Sequence, residues 1–254
     1  MAGHIKGSHA MRATITRYFA TTVLLPIAAL AMPAFAAEEA PEGPPDPLSI
    51  DFTLAAYNDY RFRGLTLSDK DFAVQPTITA TLASGFYGSV FASNITPNDG
   101  DDIEIDLIAG YSRDIGKVTA GINVTYYLYP GLSSINYAEF IGTLGTDVGP
   151  GKVGLTVGYV PRQKNVSPDF DDDGKRLDNV YVALNGSIPV KGTPFSINGS
   201  IGYEDGAFGD KKKDWSAGVT ADVVGFTLGA SYIDTKRGGP LGDATAVFSI
   251  SKAF

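Results

Sequence analysis

Asp59, Arg61 and Arg63 alternate with Tyr60 and Phe62. At two-residue strand spacing the three charged side chains share one face, about 7 Å apart. Such a row selects rather than reacts: charged side chains that line a pore sort ions and polar solutes. Asp51 belongs to the same face by parity, and Glu104, Asp106, Glu139, Asp214 and Asp222 point inward from other segments. One reading is an eyelet in which Arg61 and Arg63 face carboxylates across a lumen. The other is a salt-bridged plug that only satisfies a wet interior. A second acidic group, Asp169, Asp171 and Asp173 before Gly174, has the spacing of the first half of a calcium loop. The bidentate glutamate of a full loop should fall near residue 180, which is Val180. A solvated acidic loop is the simpler reading, and no other cofactor is suggested.

Other chemistry is excluded by what is missing. The 254 residues contain no cysteine, which removes disulfides, thiol catalysis and thiolate metal sites together. Both histidines, His4 and His9, lie in the first 36 residues, and these read as an upstream extension plus an export signal. From Met11, Arg12 and Arg17 make a positive region, Phe19 to Met32 an apolar one, and Ala34-Phe35-Ala36 a small-x-small cleavage site. Beyond residue 36 there is therefore no Ser-His, Cys-His or Asp-His catalysis and no His-ligated metal. A lipase or protease of this size would want a histidine, so an enzyme is not expected. Removing residues 1–36 takes away Lys6, Arg12 and Arg17 and no acid. That leaves 17 basic against 28 acidic residues, a net charge of −11. So acidic a chain is not a nucleic-acid binder.

The elements that must position the charged face are strands. Residues 37–48 are Pro-rich and acidic and read as a flexible tail. From residue 49 to 254 the pattern becomes period-two alternation broken by Gly, Asp, Asn and Pro. It predicts strands over 50–60, 71–83, 86–94, 102–112, 117–128, 135–147, 152–161, 176–188, 194–204, 213–223, 226–236 and 243–254. The mean hydropathy of +0.02, with no long apolar run after residue 37, suits strands whose two faces average out. Links after even-numbered strands are short, as at Ser84-Gly85 and Val224-Gly225, whereas those at 61–70, 95–101, 129–134, 162–175, 205–212 and 237–242 are longer. The expected fold is all-β: a transmembrane antiparallel up-and-down barrel of about twelve strands, with turns in the periplasm and loops outside.

Aromatic positions agree with that fold. On the apolar face Phe86, Tyr111, Phe195, Phe226 and Phe254 fall at the turn ends, and Tyr60, Phe72, Tyr159, Tyr203, Trp215 and Tyr232 at the loop ends. Two such rows are interfacial girdles, which implies outer-membrane lipid as a partner. Phe248, Ile250 and the terminal Phe254 alternate in the last strand, the pattern of a signal read by the barrel-assembly machinery.

Several stretches together resemble the TorF-type porin family of proteobacteria. They are Asn58-Asp59-Tyr60-Arg61-Phe62-Arg63-Gly64 with Ser68-Asp69, Ser84-Gly85-Phe86-Tyr87, and Glu104-Ile105-Asp106 with Ala109-Gly110-Tyr111. Tyr126-Tyr127-Leu128-Tyr129-Pro130-Gly131 and the ending Phe248-Ser249-Ile250-Ser251-Lys252 continue the likeness along the chain. The resemblance implies an outer-membrane location in a Gram-negative bacterium and a channel role. The functional expectation is passive diffusion of small hydrophilic solutes; the rival is a non-conducting barrel with a structural, adhesive or receptor role.

Overall fold

The computed structural model describes residues 47–98, 101–166 and 176–254. The segment expected to be an export signal, most of the expected acidic tail and the acidic loop 169–174, with Asp169, Asp171 and Asp173, lie outside the described residues. After β1 (Leu48–Tyr57) comes a short hairpin, β2 (Arg61–Phe62) and β3 (Leu65–Thr66). The wall then continues through β4 (Ala73–Leu82), β5 (Phe86–Asn98), β6 (Asp101–Ile115), β7 (Val118–Leu128), β8 (Tyr137–Val148) and β9 (Gly151–Val160). It ends with β10 (Asn179–Pro189), β11 (Phe195–Gly206), β12 (Gly209–Val223), β13 (Phe226–Lys236) and β14 (Thr245–Ala253). Twelve of these strands form a closed antiparallel barrel in which β1 meets β14, with Thr53 opposite Ala253. Closure leaves the barrel wall without an edge strand to pair with another chain. Among the described residues no helix is long and apolar enough to cross a membrane.

All twelve expected strands are present within a few residues of their predicted ends. Two connections are not the loops that were expected. β5 and β6 extend to Asn98 and Asp101, and β11 and β12 to Gly206 and Gly209, so the predicted loops 95–101 and 205–212 are mostly strand. Register shifts between Asn94 and Asn98 and between Glu204 and Gly206 let these hairpins bend as they leave the wall. Pro76 sits just beyond the last β4–β5 pair, Thr77 with Phe91, where no ladder bond from that partner is lost. The Asn94 side chain takes over there, accepting from Val74 N and donating to Phe72 O, each at 2.8 Å.

Face follows parity. In β7, Ile122, Val124 and Tyr126 are exposed on the outside while Asn123, Thr125 and Tyr127 are buried inside. Every wall strand contributes exposed Ile, Leu, Val or aromatic side chains to one continuous apolar belt. Phe86 and Tyr111 pack at 4.8 Å at the turn end, and Trp215 and Tyr232 at 5.2 Å at the loop end. Lys252 lies over the rings of Phe226 and Phe254, its ammonium held at the turn-end rim. Phe248, Ile250 and Phe254 all face outward, and Phe254 N donates to Phe52 O across the seam at 2.9 Å. Tyr60 is the exception to the girdle reading: it is 2% exposed and lies inside the barrel. The cause is that the chain leaves the wall before reaching it.

Candidate functional site

β1 ends at Tyr57: Asn58 N still donates to Phe248 O at 3.2 Å, but from there its side chain takes the place of the backbone. Its amide donates to Ala246 O at 3.2 Å and accepts from Phe248 N at 2.6 Å, which caps the β1–β14 seam. Residues 59–72 then turn into the loop-end mouth instead of extending the strand. Inside, Asp59 ties the segment together, accepting from Arg61 Nε and Thr66 Oγ1, both at 2.6 Å. The β2–β3 hairpin turns through Arg63 and Gly64, both with left-handed φ of 49° and 82°. Only glycine fits at 64, since a Cβ there would also strike the side chains of Thr235 and Asp214.

Arg63 is the centre of the site. Its guanidinium donates to Glu139 Oε1 on β8 and, at 2.8 Å, to Glu204 Oε1 on β11. It also lies 4.7 Å from the Phe62 ring centroid and 4.3 Å from that of Tyr181. Arginine suits this place because its planar fork serves two carboxylates while its faces stack on rings. Lys212 pairs with Glu204 at 2.6 Å and donates to Arg63 O at 2.8 Å. Tyr127 donates to Glu139 at 2.9 Å. Gly158 leaves the space for this group, since a Cβ there would meet Glu139 Oε1 and Arg63 Nη2. Arg61 is 1% exposed and also donates to Gly64 O, Leu241 O and Asp243 O.

Hydrophobic packing locks the segment in place. Tyr60 joins Ala73 and Phe91, and Tyr127 and Tyr137 stack at 4.5 Å in a second cluster with Val160 and Val166; Phe62 packs against both. Tyr60 and Tyr129 donate to Glu104 at 2.7 and 2.6 Å. Burial first, and Glu104 second, push both phenols well above their ordinary pKa, so they remain O–H donors. Below this plug lies a cavity of ≈ 50 Å³ lined by Thr, Ser and Gln side chains with Tyr57 and Phe91.

The structure thus gathers Asp59, Arg61, Arg63, Glu104, Asp106, Glu139 and Asp214 in the barrel interior. Two expected members are elsewhere. Asp51 and Asp222 are exposed near the turn end, bonded to Ser49 and Thr227. Placing Asp59, Arg61 and Arg63 on a straight extension of β1 also fails, because the chain leaves the wall after Tyr57 and buries Tyr60 alongside Asp59 and Arg61. Glu204 and Lys212 were missed. Parity alone puts Glu204 on the inner face of β11, so that signal was available. Lys212 falls one residue before the strand predicted at 213, where no parity could be read.

Among solved structures, the chain is similar to the KdgM porin, with a TM-score of 0.51 and 12% identity over 81% of this chain and 97% of that one. The NanC porin gives 0.52 and 10% identity over 81% and 98%. An outer-membrane channel of Pseudomonas putida F1 gives 0.50 and 12% over 85% and 100%. Identities this low speak for the fold alone, a closed barrel like those of outer-membrane porins. No curated protein matches the sequence. A model of the Gcw_chp family, described as bacterial proteins of unknown function, matches residues 41–254. The chain, a twelve-stranded barrel with an ion-paired segment folded into one mouth, therefore belongs to the Gcw_chp family.

Proposed function

We propose that this chain is an outer-membrane porin-like channel for passive diffusion of small hydrophilic solutes, its loop-end mouth narrowed by residues 58–72. The observation that carries this is the contrast of faces: an apolar belt outside, and inside a polar lumen with a cavity beneath the plug. A belt of this extent is stable against lipid, not water. The TorF-type motif at 58–64 belongs with this reading, since it builds the plug. Export by residues 1–36, and assembly through Phe248, Ile250 and Phe254, complete it. Catalysis has no part in it.

Reconstitution in planar bilayers tests the channel. Steps of small unitary conductance are expected. Among the described residues the interior cluster holds six carboxylates (Asp59, Glu104, Asp106, Glu139, Glu204, Asp214) and three cations (Arg61, Arg63, Lys212). Reversal potentials under a salt gradient should therefore show modest cation preference that fades as salt shortens the Debye length. Anion selectivity would remove the acidic lining from the reading. The tight packing around Arg63 favours the second reading, a non-conducting barrel, and inserted protein that never conducts would establish it.

Orientation is tested with single cysteines on intact cells, since the chain has none of its own. Asp210→Cys at the loop end should react with an impermeant maleimide, and Ser84→Cys at the turn end should not. Both positions are exposed, and the Asp210–Arg237 ion pair that is lost is a surface pair of little energetic weight. The reverse labelling pattern would invert the barrel.

A further inference from the structure

Asp106 is 8% exposed, and its Oδ1 is buried without a hydrogen-bond partner. Its charged neighbours, Glu104 and Glu139, are both acidic. Glu139 has Arg63. Glu104 has only the two tyrosine hydroxyls, and among the described residues neither Glu104 nor Asp106 belongs to an ion pair. Two carboxylates two residues apart on one face of β6 thus lack a cation. Leaving a carboxylate dry and unpaired is costly, and each such group in a folded protein calls for a partner.

The surroundings say what kind. Asp106 lies directly across from Phe91 on β5 and from Tyr127 on β7, both buried inside. Cross-strand neighbours sit about 4.5–5.5 Å apart at Cβ, so the carboxylate stands between two rings. Tyr60 adds a third ring, 6.2 Å from Phe91. Phe91 also forms part of the cavity wall, with Thr53, Ala55, Tyr57, Gln75 and Thr77. Aromatic faces attract cations and apolar chains alike. A bare metal ion would want an oxygen cage, and no group of three or more acidic side chains among the described residues has that geometry.

We infer that Asp106, with Glu104, Phe91 and Tyr127, forms a binding site for the ammonium group of a short primary alkylamine whose chain lies in the cavity below. A primary ammonium carries three N–H donors for Asp106 and the free lone pairs of Glu104. A quaternary ammonium has no donor, and the small cavity leaves it little room. The site does not depend on the barrel conducting, so its test uses equilibrium binding alone.

The full chain in detergent micelles is titrated with n-butylammonium by calorimetry at constant ionic strength. Saturable binding is expected, weaker by about tenfold or more for tetramethylammonium and for the Asp106→Asn variant. n-Butanol, of similar shape but neutral, should show no saturable binding. Asp222→Asn removes the same charge at the exposed rim and should leave affinity unchanged, which separates a site from general attraction. If Asp106→Asn does not fold, Phe91→Leu keeps the carboxylate and should still weaken binding severalfold. Absence of saturable binding to the unmodified protein, equal binding of butanol, or an Asp106→Asn or Phe91→Leu variant that binds as the parent does would overturn the assignment.

Discussion

Arg63→Ala should open the loop-end mouth and destabilise the barrel by about 3–5 kcal/mol, the usual cost of removing one partner from a buried ion pair. The loss is uneven. Glu204 keeps Lys212 at 2.6 Å and the Asn179 amide at 2.9 Å, whereas Glu139 keeps only the Tyr127 hydroxyl. Glu139→Gln in the same chain should therefore recover part of the stability, and the two changes should be non-additive. Arg63→Lys should recover less than its charge suggests. A single ammonium cannot span Glu139 and Glu204 as the guanidinium fork does, nor stack between Phe62 and Tyr181. The measurements are the urea midpoint in micelles and the unitary conductance in bilayers. A variant unchanged in both would mean that Arg63 neither holds the plug nor narrows the passage.

The second large effect lies one residue apart on β12. Val219 is 45% exposed on the apolar belt, opposite Ile197 and Ala230, while Thr220 is 2% exposed and faces the lumen. Val219→Arg puts a guanidinium into hydrocarbon and should cost roughly 2–4 kcal/mol at mid-bilayer depth. Thr220→Arg should be far milder in stability. It loses the hydrogen bond from Asn198 at 3.0 Å but turns the new charge toward the barrel interior, where Thr, Ser and Gln side chains share the cavity wall, rather than toward lipid. Its effect should appear in conductance, which falls as the longer side chain fills that space. A larger unfolding shift for Thr220→Arg than for Val219→Arg would mean that β12 faces the other way.

Strand positions and faces were legible in the sequence because they are local. In a strand the side-chain period is two, so one segment reports both that it is extended and which residues share a face. Thr125 and Tyr127 against Val124 and Tyr126 needed nothing beyond β7 itself. The short turns at 83–85, 116–117 and 224–225 were equally local, since Gly85, Gly116 and Gly225 adopt the left-handed φ those turns require.

The same reasoning projected β1 in a straight line through Asp59, Arg61 and Arg63, and there it failed. Whether a chain continues a wall or leaves it depends on what waits for it inside. Asn58 caps the seam through residues about 190 positions away, and Arg63 finds Glu139 and Glu204 at separations of 76 and 141 residues. Tyr60 was assigned to a lipid girdle by its alternation, yet its hydroxyl partner is Glu104 on another strand. Pairings at such distances leave no period in the sequence. Only closing the barrel, which brings β6, β8, β11 and β12 around one lumen, decides that these charges meet one another rather than water.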